Sequence, residues 1–342
     1  MIKTIPVKKL RVGMYVIIPG TWFKHDFAKS EFIIRSKAQI RKIQASGFDE
    51  VKMDTGKSLI IMVPALPSGV SPNEGQREQG EPKGAGAHEK FDPIELIAQD
   101  LIETITSDQL EPREKATAVY SHCIDIMDIL LEQPTAHNIH KTKQVIATIV
   151  DFVLVDDETA GNLSGISNHE DYYTYTHSVN VGLLSVLLAK ELLGSDTESH
   201  NMRELGAGFF LHDLGKCNVS TTLFNKRGVL TDEEMRQMHL HPSYGYEILY
   251  KAKQLSKECK YIVLQHHERE DGTGYPYGLK GNEIHLYGRI CRIADVYDAL
   301  TSRRSYRAEL PPFKALRIMK EEMINQFNRE IFNEFVHLLG NN

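Results

Sequence analysis

The chain has 342 residues, of which 41% are hydrophobic and 25% charged, and it carries a formal net charge of -6 at pH 7. That balance belongs to a soluble globular protein with room for two domains of ~150 residues, and it excludes a disordered chain and a global binder of polyanions. An anionic ligand would have to be met by local cations, either clustered Lys and Arg or metal ions. Cys123, Cys217, Cys259 and Cys291 are far apart and form no CxxC pair, so they are expected as reduced core thiols. The amino-terminal "MIKTIPVKKLRVGMYV" has no apolar stretch behind its charges, and the run from Val181 to Leu193 is interrupted by Ser185, Lys190 and Glu191. The expectation is a cytoplasmic protein with no membrane, DNA or RNA partner.

Along the chain, "MYVIIP" and "SLIIMVP" read as strands flanking a helix at "SKAQIRKIQASGF", with Ser36 as its cap and Gly47 as its stop. "DEVKMD" adds a further short strand. Residues 1–64 are therefore expected to form a small α+β domain. Residues 65–90, rich in Pro, Gly, Glu and Gln, lack the apolar surface needed to offset ordering entropy and read as a flexible linker. From residue 91 to 342 the pattern is helical. "DPIELIAQDLIETI" starts with Asp92 as cap and Pro93 at the first helical position, with Ile94, Ile97, Leu101 and Ile105 on one face. "KATAVYSHCIDIMDILLEQ", "TKQVIATIVDFVLVD" and "TYTHSVNVGLLSVLLAKELLG" continue in the same way. The fold class expected is mainly α, a helical bundle preceded by a small α+β domain, and bundles build metal sites from side chains on facing helices.

The chain has 15 histidines. His177 lies in "YTHSVNVG", His212 and Asp213 end the apolar "GAGFFL", His241 lies in "MHLHPSYGYE", His266 and His267 begin "HHEREDGTGYPYGLKG", and Asp295 lies in "RIADVYDALTS". Imidazole nitrogens together with carboxylate oxygens suit Fe, Mn, Zn, Ni or Cu, and the absence of cysteine from the set argues against a structural zinc site. A lone histidine on an apolar helix is more often a satisfied core residue than a ligand. An apolar helix that ends in two desolvated polar groups, however, requires partners for them.

Taken together, "HSVNVG", "HDLGK", "HP", "HHEREDGTGYP", "GLKG" and "ADVYDALTSRRSYR" resemble the HD-GYP family of cyclic dinucleotide phosphodiesterases over roughly the second half of the chain. The resemblance implies two divalent metal ions, Fe or Mn in the first place and Ni or Zn as alternatives. It implies His177, His212, Asp213 and Asp295 around one ion and Asp213, His241, His266 and His267 around the other, with Asp213 as the catalytic bridge. Some family members carry a Glu one helical turn before the first histidine, which supplies a third metal; Tyr173 stands there in this chain, so two ions are expected. Such a pair shares a water and lowers its pKa toward neutrality for attack on a phosphodiester.

Lys216 is expected as a catalytic and substrate-binding cation, against the alternative of a solvated lysine at a helix end. Gly274, Tyr275 and Pro276 are expected in the substrate loop, where Gly272, Gly274, Gly278 and Gly281 let the backbone turn or approach a ligand. Arg304 and Arg307 are expected on phosphate or guanine, while Arg303 is as readily a solvated helix end. Asp298 is expected at a guanine edge or as an orienting group. Family members often have Pro where Ser305 stands. The substrate implied is cyclic di-GMP, opened to linear pGpG and on to GMP. The alternatives are 3'3'-cyclic GMP-AMP, a non-catalytic cyclic dinucleotide receptor, or a nucleotidase of the broader HD group, the last opposed by Gly-Tyr-Pro and the His-His pair. The amino-terminal "VKKLRVGMYV" resembles a small domain of unknown function often attached to such enzymes, with homodimerisation or a signalling-protein partner as its implied roles.

Overall fold

The computed structural model describes residues 2–18, 31–58, 92–165, 174–220, 223, 226, 228, 230–303 and 308–340. The chain divides into two compact units, Met1–Leu96 and Ile97–Asn342.

The first unit holds strands β1 (Ile2–Pro6), β2 (Tyr15–Ile17), β3 (Glu31–Ile33) and β4 (Glu50–Asp54) in one antiparallel sheet of order β1-β4-β2-β3. Helix α1 (Lys37–Ala45) lies between β3 and β4 in sequence. The Ser36 side chain accepts from Gln39 N, and Gly47 takes φ 75°, so both ends of the helix are as expected from the sequence. Val51 and Met53 alternate with exposed Glu50 and Lys52 on β4, and they bury with Met14, Val16, Ile34 and Ile43 in a core of this unit's own. The strand expected at "DEVKMD" is β4, and "MYVIIP" contains β2. The strand expected at "SLIIMVP" and the linker at 65–90 lie outside the described residues, apart from Ser58.

In the second part of the chain come α2 (Pro93–Ile105), α3 (Pro112–Glu132), α4 (Ala136–Val155), α5 (Asp157–Ser164), α6 (Thr174–Leu193) and α7 (Met202–Phe210). They are followed by α8 (Asp232–Met238), α9 (His241–Lys251), α10 (Lys257–Gln265), α11 (Leu286–Thr301), α12 (Pro312–Glu322) and α13 (Arg329–Gly340). Asp92 caps α2 as expected, its Oδ1 accepting from Ile94 N at 2.9 Å.

Helix α6 is buried along most of its length, from Thr176 to Ala189, because its apolar residues run round the helix instead of along one stripe. It packs against α3, α7, α11 and α13, so its first turn delivers His177 into the middle of the bundle. Two glycines permit the close approaches around it. A β-carbon at Gly182 would lie 2.4 Å from the Phe210 ring, and one at Gly215 would lie 1.9 Å from His241 O and 2.3 Å from Gly245 N. The second contact presses the 3-10 turn Leu214–Asn218 onto α9 and sets Asp213 beside His241. Cys123, Cys259 and Cys291 are buried free thiols, as expected, but Cys217 is exposed: it stands on the outer side of that tight turn, with Sγ 3.4 Å from Leu131 O.

Candidate metal centre

Five imidazoles and two carboxylates, drawn from α6, the α7 end, α9, the α10 end and α11, converge in the second unit. They fall into two groups of potential ligand atoms: Asp213, His241, His266 and His267 form one, and His177, His212 and Asp295 form the other, each within 4.8 Å. Asp213 also reaches the second group, its Oδ2 lying 3.4 Å from His177 Nε2 and 3.5 Å from His212 Nε2 while its Oδ1 lies 3.2 Å from His241 Nε2. One carboxylate therefore faces both groups with different oxygens, the arrangement expected of a bridge. His266 and His267 reach one cluster because α10 ends at Gln265 and the backbone turns immediately after it.

The imidazoles are oriented from behind. His212 Nδ1 lies 2.8 Å from Phe209 O, His241 Nδ1 lies 2.7 Å from Met238 O, and His266 Nδ1 lies 3.0 Å from Val263 O. A carbonyl only accepts, so each Nδ1 donates, which leaves Nε2 as the atom that faces the centre and can offer a lone pair there. His177 is held by a carboxylate instead, with Nδ1 2.7 Å from Asp298 Oδ2. Asp298 in turn accepts from Asn180 Nδ2 at 2.6 Å and Ser302 Oγ at 3.0 Å, and Tyr120 donates to Asn180 Oδ1 at 2.7 Å. Asp298, 3% exposed, therefore orients a histidine here, its position one turn beyond Asp295 on α11 pointing it into the bundle.

Two of the inward-facing atoms, His212 Nε2 and Asp213 Oδ1, are buried and make no hydrogen bond among the described residues. His241 Nε2 and His266 Nε2 stand 3.2 Å apart, each on a ring whose other nitrogen donates to a carbonyl. Two lone pairs at that distance repel unless a positive charge lies against both. Burial drives the His266 pKa down to about 4, with His212 and His241 adding to the fall against the pull of Asp213, so the His266 ring itself resists a proton. His267 is also shifted well down by burial and then by His266. Burial works against ionised Asp213, yet Lys216 and then His212 outweigh it and hold the carboxyl well below its usual range. Asp295 is held down likewise, against burial, by His177 and His267. Deprotonated carboxylates facing neutral imidazoles are the donor set a divalent ion requires, so these residues fit a metal pair.

Lys216 is half-buried and ion-paired. It lies in the 3-10 turn, and its ammonium pairs with Asp213 Oδ2, taking one edge of the bridging carboxylate. The loop that follows His267 is anchored by buried Glu268, whose Oε1 accepts from Tyr277 N at 2.8 Å and whose Oε2 accepts from Leu279 N at 2.9 Å. Gly274 is required by close packing: a β-carbon there would lie 2.5 Å from both Glu268 Cα and Arg269 N. Gly272, Gly278 and Gly281 do take positive φ. The Tyr275–Pro276 peptide is cis. Tyr275 stacks on His267 at 4.6 Å and on His239 at 3.8 Å, so it packs between protein rings where a substrate contact was expected. Arg304, Arg307, Ser305, Tyr173 and the neighbouring Glu170 and Asp171 lie outside the described residues. Sequence reasoning missed Asn180, Tyr120 and His239; Asn180 and His239 stand inside quoted motifs, but nothing local distinguishes them from ordinary surface polar residues.

Comparison with known proteins places these observations in a family. A family described as "HD domain" matches residues 174–331, and a "Domain of unknown function (DUF3391)" matches residues 2–145. The chain is 31% identical over 99% of its length, and 77% of the relative's, to "Cyclic di-GMP phosphodiesterase PA4108" of Pseudomonas aeruginosa. It is 40% identical to "3'3'-cGAMP-specific phosphodiesterase 3" of Vibrio cholerae over 47% of this chain and 34% of that protein. It is also 36% identical to a "Cyclic di-GMP phosphodiesterase" of Thermotoga maritima over 52% of this chain and 47% of that one, so it spans less than half of these two relatives. The solved structure of "Bd1817, a HDG"Y"P protein from Bdellovibrio bacteriovorus" covers 99% of this chain and 100% of its own with a TM-score of 0.64; at 16% identity it shows the shared fold. The chain belongs to the HD-GYP family of cyclic dinucleotide phosphodiesterases, with an amino-terminal DUF3391 domain.

Proposed function

We propose that this protein hydrolyses a cyclic dinucleotide, cyclic di-GMP in the first place, to linear pGpG, using two divalent metal ions held by the seven converging side chains. The observation that carries the reading is the approach of His241 Nε2 and His266 Nε2 to 3.2 Å, with Asp213 Oδ1 3.2 Å from the first, in a buried place where one divalent cation would satisfy all three. Iron or manganese suits this mixed nitrogen and oxygen donor set, with nickel or zinc as alternatives. When bound, a metal pair supplies an activated water and charge neutralisation on a phosphate oxygen.

The chain's own residues supply the rest. His212, His241 and His266 keep their protons on the carbonyl side and their lone pairs inward. Asp213, kept ionised by Lys216, spans both groups and fixes their separation. Lys216 is 15% exposed at its side chain and stands at the edge of the centre, where it becomes free to meet a phosphate oxygen once the charge on Asp213 is otherwise satisfied. Glu268 and Gly274 hold the loop that closes one side, which excludes water from the ligand atoms. Arg304 and Arg307 are proposed to grip phosphate or guanine through their planar forks.

The relatives' names divide between cyclic di-GMP and 3'3'-cGAMP, so the mixed dinucleotide is the second reading for the substrate. The amino-terminal unit, with its own core, is proposed as a regulatory or interaction domain. No helix among the described residues is long and apolar enough to cross a membrane, and the site of action is proposed to be the cytoplasm. The test is to load anaerobically purified protein separately with Fe(II), Mn(II) and Zn(II), incubate it with each cyclic dinucleotide, and identify products by chromatography. Linear pGpG from cyclic di-GMP supports the reading, and binding without turnover under every loading rejects it in favour of a receptor.

A further inference from the structure

The histidines of the centre are not all held in the same way. His212, His241 and His266 are pinned by backbone carbonyls and His177 by Asp298, but the ring of His267 makes no hydrogen bond among the described residues; Asp295 Oδ2 lies 3.6 Å from its Nδ1. Ligating imidazoles ordinarily have their orientation fixed by a partner on the other nitrogen. His267 has a ring in place of that partner: Tyr275 stacks on it with centroids 4.6 Å apart and planes 25° from parallel. Its other ring neighbours are tilted or edge-on, His266 at 4.2 Å and 45° and His241 at 4.9 Å and 89°, so Tyr275 is the one ring stacked near-parallel on His267.

Tyr275 is itself gripped from its other side. His239 stacks on it at 3.8 Å and 15°, and two imidazoles at these distances cannot share one face of a single phenol ring, so Tyr275 is sandwiched. His239 sits at the end of α8, where its own N–H donates to Met235 O at 2.9 Å, and it stands two residues before the ligand His241. Gly274 brings the tyrosine into this slot, since its backbone packs directly on Glu268 and Arg269.

We propose that His239 is a positioning residue, which clamps Tyr275 onto His267 and so does by ring stacking what carbonyls do for the other histidines of the same group. The clamp joins the first histidine of "MHLHP" to the tyrosine of Gly-Tyr-Pro and makes the latter a structural partner of the centre. It follows that the faces of Tyr275 are closed to a substrate base. The proposal rests on the reading that His241, His266 and His267 hold an ion.

The test compares wild type with His239→Ala, His239→Leu and His239→Phe, each loaded with Mn(II), dialysed against a graded series of chelator, and assayed for retained manganese by elemental analysis. Phe restores a stacking face and should retain the metal like wild type. Ala and Leu should release the more weakly held ion at about tenfold lower chelator concentration, in the range by which partners of ligands affect affinity. Leu fills the space without a flat π face, so it decides the matter if Ala lowers the melting temperature. Leu retaining manganese like wild type, or Phe releasing it like Ala, would overturn the clamp. Wild type retaining no manganese at any chelator concentration would instead reject the metal reading on which it rests.

Discussion

Asp298 Oδ2 lies 2.7 Å from His177 Nδ1, joining α11 to α6 behind the centre. The same carboxylate binds Asn180 and Ser302, so the lone pair at His177 Nε2 is aimed by a network that reaches back to Tyr120. Replacing Asp298 by Asn removes the charge and leaves a near-identical shape. We expect metal affinity or turnover to fall by about 10- to 100-fold, in line with other partners of ligating histidines. Elemental analysis and a turnover assay check this; unchanged values for both would remove Asp298 from the account.

Glu268 accepts two backbone N–H bonds while 1% exposed, and these are charge-assisted contacts. Glu268→Ala leaves Tyr277 N and Leu279 N without their acceptors and should cost about 3 kcal/mol of stability. Urea unfolding measures the loss. A midpoint equal to wild type would mean that the loop is held elsewhere.

Two glycines of the same loop should respond differently to alanine. At Gly278 the penalty is conformational, since φ is 67° and open space surrounds most of the site, and about 1 kcal/mol is expected. At Gly274 an added methyl meets backbone atoms at 2.5 Å, so the loop must move and Tyr275 with it. Gly274→Ala should therefore suppress turnover far more than Gly278→Ala, as measured side by side under one metal loading.

Much of the site was legible because its chemistry is written locally. Adjacent histidines, a polar dyad closing an apolar helix and a Gly-Tyr-Pro loop are unusual enough that their neighbourhood identifies them. Asp298 was legible as a residue for a guanine edge or an orienting group but not as the partner of His177, because the two meet only through the packing of α6 on α11. His239 was illegible for the same reason: a ring stack leaves no periodicity. In the first unit, Ser36 and Gly47 announced α1, whereas β1, five residues ending in Pro6, carries no run of its own and exists by pairing with β4.

Acid should destabilise the metal-free protein. The pKa of His266 is lowered to about 4 and that of His267 is lowered well below the usual value, both first by burial. Below pH 6.5 the unfolded chain takes up these protons and the folded chain resists them, so stability falls as pH falls, with His266 contributing roughly 1 kcal/mol per pH unit down to about 4. Asp213 and Asp295, held below the usual carboxylate range, act in the same direction below about pH 4. Bound metal should oppose the loss until protons displace it. Melting temperatures of chelator-treated protein from pH 7 to 5 test the sign; a flat or rising profile would be inconsistent with buried neutral imidazoles.

The decisive measurement is metal content and cyclic di-GMP hydrolysis on the same anaerobic preparations of wild type and Asp213→Asn. The account predicts two bound ions and linear pGpG from wild type, with Asp213→Asn losing metal and turnover together because its carboxylate faces both groups. A metal-free wild type that hydrolyses the dinucleotide at full rate, or an Asp213→Asn protein that keeps both ions and its activity, would contradict it.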